Sequence, residues 1–199
     1  QLSSTQTDVI IEVKDNGCGV LEAIKDKIFE PKFTTKTSGM GLGLPMIKNI
    51  IEISKRPEFR GKILFVQNYD MNLAKMLLQG VDVWLNTPRI TREASGTSGM
   101  TAAMNGSINV SINDGWIPEF EKNGENCFVL PELDYKRPVW EQDEEDCANL
   151  FDILENEVLP TYYDKKKKWQ EIAFNGITDT IPEFTSHRMA EQYYKELYK

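Results

Sequence analysis

Residues Glu93 to Gly106, EASGTSGMTAAMNG, place a carboxylate, the hydroxyls of Ser95, Thr97 and Ser98, and the glycines Gly96 and Gly99 ahead of an alanine-rich run. Glycine permits positive φ and close backbone approach, and Ser or Thr is favoured just before a helix. A loop of this kind delivers unpaired N–H groups to a helix N-terminus, where anions bind. The expected chemistry is therefore capture of a dianion by the N–H groups of Gly96 to Gly99, with the three hydroxyls as further donors. The competing expectation is an ordinary capped helix with a solvated loop. A second set of polar and glycine-bearing segments, DNGCGV, IFEPKFTTK and GMGLGL, runs in that order from Asp15 to Leu44.

These segments need elements to hold them. DVIIEV, residues 8–13, is β-branched and bounded by KDNG, as a strand running into a turn is. LEAIKDKIFE has weak helical spacing closed by Pro31, and LPMIKNIIEIS is an amphipathic helix with Pro45 in its first turn. KILFVQN reads as a strand, MNLAKMLLQG as a helix ended by Gly80, VDVWLN and SINVSI as strands on either side of the glycine loop and its helix. Apolar strands alternating with helices predict a parallel sheet covered on both faces. Strand VIIEV is expected to join or flank that sheet beside ILFV, VDVWL and INVSI. Beyond ENCFVL the pattern is helical, in DEEDCANLFDILENEVLPTYY, KKWQEIAFNGITDTI and SHRMAEQYYKELYK, punctuated by Pro160 and Pro182. The run Lys165 to Lys168 reads as a solvated helix start, with phosphate binding as the lesser alternative.

Composition narrows the classes. With 40% hydrophobic residues among 199, the chain can bury a core. A net charge of -8 argues against a general nucleic-acid or anionic-membrane partner. Cys18, Cys127 and Cys147 are scattered, without a CxxC pair, so reduced thiols are expected rather than a disulfide or zinc framework. No apolar run approaches the ~20 residues of a membrane helix. No signal peptide is visible, and a cytoplasmic location is expected. The first residue is Gln rather than Met, as expected of a fragment or trimmed chain.

The ordered set DNGCGV, IFEPKFTTK and GMGLGL, with a strand before it and a helix after, resembles the ATP-binding domain of sensor histidine kinases and their GHKL relatives. The resemblance implies that Asp15 bonds the adenine amino group while Gly17 and Gly19 let the backbone approach the base. It places Phe29 and Phe33 in the lid, and Gly39, Gly41 and Gly43 around the phosphates. The family's Asn-bearing, magnesium-holding helix has no counterpart in the fourteen residues before Asp15. At most weak ATP binding is expected, without autophosphorylation, and no metal site.

From about residue 50 onward, NYD, DVWLNTP, EASGTSGM, NG and DGW resemble the C-terminal half of the glycogen and starch (α-glucan) phosphorylases. That resemblance implies one Rossmann-like lobe of a two-lobed GT-B enzyme moving glucosyl units between glucan and phosphate with pyridoxal phosphate. Glu93, Ser95 and Gly96 would meet the sugar; Thr97, Ser98 and Gly99 would meet phosphate. The family's Schiff-base lysine stands where this chain has Thr101, which cannot form an imine. No pyridoxal cofactor is therefore expected; either this branch uses another donor, such as a nucleotide sugar, or the fragment is catalytically dead, and the isolated chain is expected to be inactive. The expected fold is α/β: a Rossmann-like parallel sheet with helices on both faces, a helical C-terminal cap and a fragment of an ATPase α/β sandwich. The expected division is 1–50, kinase-like, and 51–199, phosphorylase-like, packed as one body. Expected partners are a glucan or sugar phosphate, with ATP second, and an oligomer is allowed. The alternatives are an ATP-binding module or a chimeric scaffold without activity.

Overall fold

Leu2–Ser4 (β1) and the β-branched Val9–Ile11 (β2) pair antiparallel, with Leu2 opposite Ile11, in the computed structural model of the chain. The structure describes residues 2–4, 9–11, 19–35, 41, 43–66, 69–93 and 95–198. Contacts divide the chain into two compact units, Gln1–Asn68 and Tyr69–Lys199.

In the first unit the LEAIKDKIFE segment forms two short 3-10 turns, Glu22–Ile24 and Lys27–Phe29, instead of a regular helix. Helix α1, Gly43–Ser54, begins at the last glycine of its box and buries Pro45 in its first turn, so residue 50 lies inside a continuous helix. Two strand expectations are corrected. β2 is partnered by β1 in a two-stranded sheet and not by the parallel strands. Ile63–Val66, expected as a strand, makes none among the described residues and leaves Leu64 74% exposed. Its apolar run is strand-like in composition, but a strand exists only where a partner's backbone meets it.

The second unit holds the parallel sheet. Helix α2, Met71–Gly80, starts where the Asp70 carboxylate accepts the Leu73 N–H at 2.8 Å, a side-chain N-cap. Strand β3 (Val83–Asn86) leads to α3 (Thr97–Met104), then β4 (Ile108–Ser111), α4 (Ile117–Phe120) and β5 (Phe128–Val129). The strand order is β3-β4-β5, all parallel, with Val83 opposite Ile108 and Val110 opposite Phe128. Central β4 is buried at every position, as a parallel strand covered on both faces must be. Sequence patterning missed α4 and β5, whose four and two residues are too short to show a period.

The C-terminal part is helical, as expected: α5 (Val139–Ile153), a π-helical turn at Leu154–Val158, α6 (Leu159–Asp164), α7 (Lys166–Phe184) and α8 (Ser186–Glu196). Pro160 follows the π-helical turn inside a helical run that continues from α5 into α6, so it does not end the helix. Pro182 does not end α7, which runs two residues further. Ile172, Gly176 and Thr180 recur every fourth residue and form the buried stripe of α7.

Period two on β4 separates two packing layers. Ile108, Val110 and Ile112 join Phe128, Leu130, Ile153, Val158 and Ile172 in the larger core. Ala103, Trp116, Ile117, Phe120 and Cys127 form the second. Burial of Cys127, fully excluded from solvent, pushes its thiol up to about 12 from 9.0, and the nearby Glu121 charge adds to this while the Lys122 backbone bond opposes it. The folded state thus holds its proton where the unfolded chain would lose it. This contribution to stability is complete below about pH 9 and is lost as pH rises through about 12. At pH 8, iodoacetamide followed by peptide mass mapping should label exposed Cys147 and spare Cys127 until the fold is opened in urea. Equal labelling of the two would contradict this burial.

Candidate functional site: the loop that opens α3

Gly96 caps α3 in the left-handed region, at φ 72° and ψ 37°, and no side chain caps the helix. The first bonds of the helix run from the N–H groups of Gly99 and Met100 to the Gly96 carbonyl, at 3.1 and 3.3 Å. Gly99's donor is thus spent inside the turn. The N–H groups of Thr97 and Ser98 stand ahead of the ladder, on exposed residues, with no cap partner among the described residues. Ser95 is exposed beside them and Glu93 is half-buried.

Three residues after β4 hold this loop from behind. The Asp114 carboxylate accepts the N–H groups of Arg92 and Glu93, both at 3.1 Å, and so sets the chain entering the loop. Glu93 carries its stem over Gly115, where a Cβ would come within 2.7 Å of the glutamate Cγ. The indole of Trp116, 2% exposed, lies so close to Gly96 that a Cβ there would meet its Cδ1 at 2.7 Å. The same Gly96 position is 3.6 Å from a Glu93 carboxylate oxygen, so the carboxylate and the helix start are neighbours. The DGW triplet, noticed in the sequence only as part of a pattern, is thus the platform of the loop. Asn109, on β4, adds a tether from its Nδ2 to the Gly99 carbonyl at 3.1 Å. It escaped sequence reasoning, although a polar residue inside a fully buried strand is a visible signal.

Thr101 lies one turn into α3, exposed, and its hydroxyl donates to the Thr97 carbonyl at 2.9 Å. A side chain folded back on its own helix and lacking an amine does not fit covalent pyridoxal phosphate.

Of the nucleotide-site residues, Asp15, Gly17 and Gly39 lie outside the described residues. Gly19 is exposed with φ +75°, and Gly43 is the first residue of α1. Gly41 has φ +64° and abuts the lid segment: its carbonyl accepts the Lys32 N–H at 3.1 Å, and a Cβ would strike the Phe33 carbonyl oxygen. Phe33 lies at this contact, and Phe29, the last residue of the second 3-10 turn, is 43% exposed. Among the described residues no group of three or more His, Cys, Asp or Glu is placed to hold a metal ion. No helix among them is long and apolar enough to cross a membrane.

The family of histidine kinase-, DNA gyrase B-, and HSP90-like ATPases matches over residues 1–131. The chain belongs to this family. As a member of this ATPase family it is also 51% identical, over 51 residues, to the signal transduction histidine-protein kinase AtoS of Escherichia coli K12, covering 26% of this chain and 8% of that protein. The second resemblance stands as well. The maltodextrin phosphorylase of Thermococcus litoralis is 40% identical over 156 residues, and the glycogen phosphorylase of Aquifex aeolicus 39% identical over 161. Each alignment covers 78% of this ATPase-family chain, which spans only 19% and 23% of those two proteins.

Proposed function

We propose that the α3 loop is a sugar-phosphate site, inherited with a phosphorylase-like lobe of GT-B type whose parent reaction is glucosyl transfer between glucan and phosphate. The observation that carries this reading is the uncapped start of α3, with the Thr97 and Ser98 donors open and the Glu93 carboxylate held beside them. Dipole and donors favour a dianion. Glu93 is the hydrogen-bond acceptor for sugar hydroxyls, and Ser95 and Gly96 line the same subsite. What these residues supply is binding and orientation. Thr101 supplies no imine, and no pyridoxal is covalently held there. The chain works without a membrane, in the cytoplasm.

A thermal-shift panel on the full chain tests this. Phosphate or sulfate should raise the melting temperature more than chloride does at matched ionic strength. Glucose 1-phosphate should exceed phosphate in the wild type but only equal it in Glu93→Gln, which keeps the anion donors and weakens the sugar contact. A ligand at about 100 times its dissociation constant contributes about 2.7 kcal/mol, well within detection. Equal responses to phosphate and chloride would reduce the loop to a helix cap. Membership of the ATPase family favours a second ligand, ATP, bound through Asp15 and the glycine segments. In the same panel ATP should act weakly, through a shift that Asp15→Asn removes.

A further inference from the structure

Behind the loop, the face of β4 turned toward α3 carries a polar group that the fold alone does not require. Asn109 is 1% exposed, and its Oδ1 has no hydrogen-bond partner among the described residues. Its amide cannot be turned round, because the exchange would set Oδ1 against the Gly99 carbonyl oxygen that Nδ2 now serves. That carbonyl also has the regular helical position opposite the Ala103 N–H, so it would not be orphaned without Asn109. Oδ1 and the Trp116 Nε1 lie 2.8 and 2.9 Å from the point where a Cβ on Gly99 would stand. The first turn of α3 therefore rests on an amide and an indole, while Thr97 and Ser98 are exposed. A buried acceptor left without a partner lowers stability. Local rules broken without structural gain are expected at functional sites.

We propose that Asn109 is a positioning residue for anion capture: through Gly99 it fixes the direction of the Thr97 and Ser98 N–H groups toward a phosphate or phosphate monoester. This rests on the reading of the α3 loop given above. Trp116 closes the space into which the turn could otherwise relax. Removing the tether leaves the helix formed but its first turn free to tilt away from the ligand.

The full chain is compared with Asn109→Leu, which keeps the branched shape without polar atoms, and Asn109→Ala, for the case that leucine overpacks. Three quantities are read: the melting temperature without ligand, the affinity for inorganic phosphate against chloride at matched ionic strength, and the backbone amide shifts of residues 96–99. Asn109→Leu should melt at or above the wild type and yet bind phosphate at least tenfold more weakly. Asn109→Ala should melt lower, from the cavity, with the same tenfold loss. Stability and affinity moving in opposite directions in the leucine variant is a signature that a merely structural asparagine would not produce. Phosphate affinities within twofold of wild type in both variants would overturn the proposal. If the wild type shows no phosphate preference, the reading of the loop fails. The positioning role falls with it, an outcome distinct from a wild-type preference that survives in both variants; where the preference is present, the phosphate-induced amide shifts of residues 96–99 should shrink in both variants.

Discussion

Gly96→Val should lower the stability of the second unit and abolish the phosphate-specific response together. The native backbone at Gly96 has φ 72°, where a residue with a Cβ costs about 1–2 kcal/mol. The added Cβ would also stand 2.7 Å from the Trp116 Cδ1, and overpacking of a filled site costs about 1–3 kcal/mol. The indole cannot give way freely, because it is wedged against Phe120 and Phe184. Relief comes from tilting the start of α3, which carries the Thr97 and Ser98 donors away from a common ligand. Urea unfolding followed by circular dichroism measures the first effect, and phosphate against chloride melting measures the second. Gly96→Asn separates the causes: asparagine tolerates the left-handed region but still meets the indole. A valine variant with the wild-type phosphate response would show that the loop geometry does not matter to binding.

Trp116→Ala should be the most destabilising single change in the second packing layer, by about 3–5 kcal/mol. Trp116 is 2% exposed, stacks on Phe120 with centroids 4.3 Å apart and meets Phe184 edge-on at 5.2 Å. Its removal opens a cavity directly under Gly96 and Gly99, so the loop loses its platform as well as the core its largest side chain. Trp116→Phe restores a ring plane and should recover much of the lost stability. The shift of the urea midpoint at unchanged slope gives the value. A loss below about 1 kcal/mol for the alanine variant would mean that the site collapses and refills, against the packing described.

How much of this was legible in the chain differs by element. α2 matched its expected span, Met71–Gly80, because apolar spacing and the Asp70 cap are both local signals. α3 begins within the stretch whose glycines and hydroxyls announced a helix start. β4 was equally plain, since a β-branched run between turn residues has few other uses. ILFV carries the same composition and yet forms no strand among the described residues, and VII, residues 9–11, found an antiparallel partner in β1. Pairing depends on which distant backbone is presented, a quantity that no window of residues contains.

The site divides along the same line. Residue types and their order along the chain suffice for a glycine- and hydroxyl-bearing helix start, for a carboxylate at Glu93, and for a threonine without an amine at Thr101. These are properties of short segments and of functional groups. The spent donor at Gly99 is a local bond to Gly96, but the support from Asp114 and Trp116 and the orphaned oxygen of Asn109 arise only when β4 and the residues after it pack against α3. Contacts of that kind join residues ten or more positions apart, as Asn109 and Gly99 are, and are selected by burial and shape over the whole unit. Local propensity is blind to them because the energy that chooses them comes from excluding water and filling space between elements, not from the conformation of either element alone.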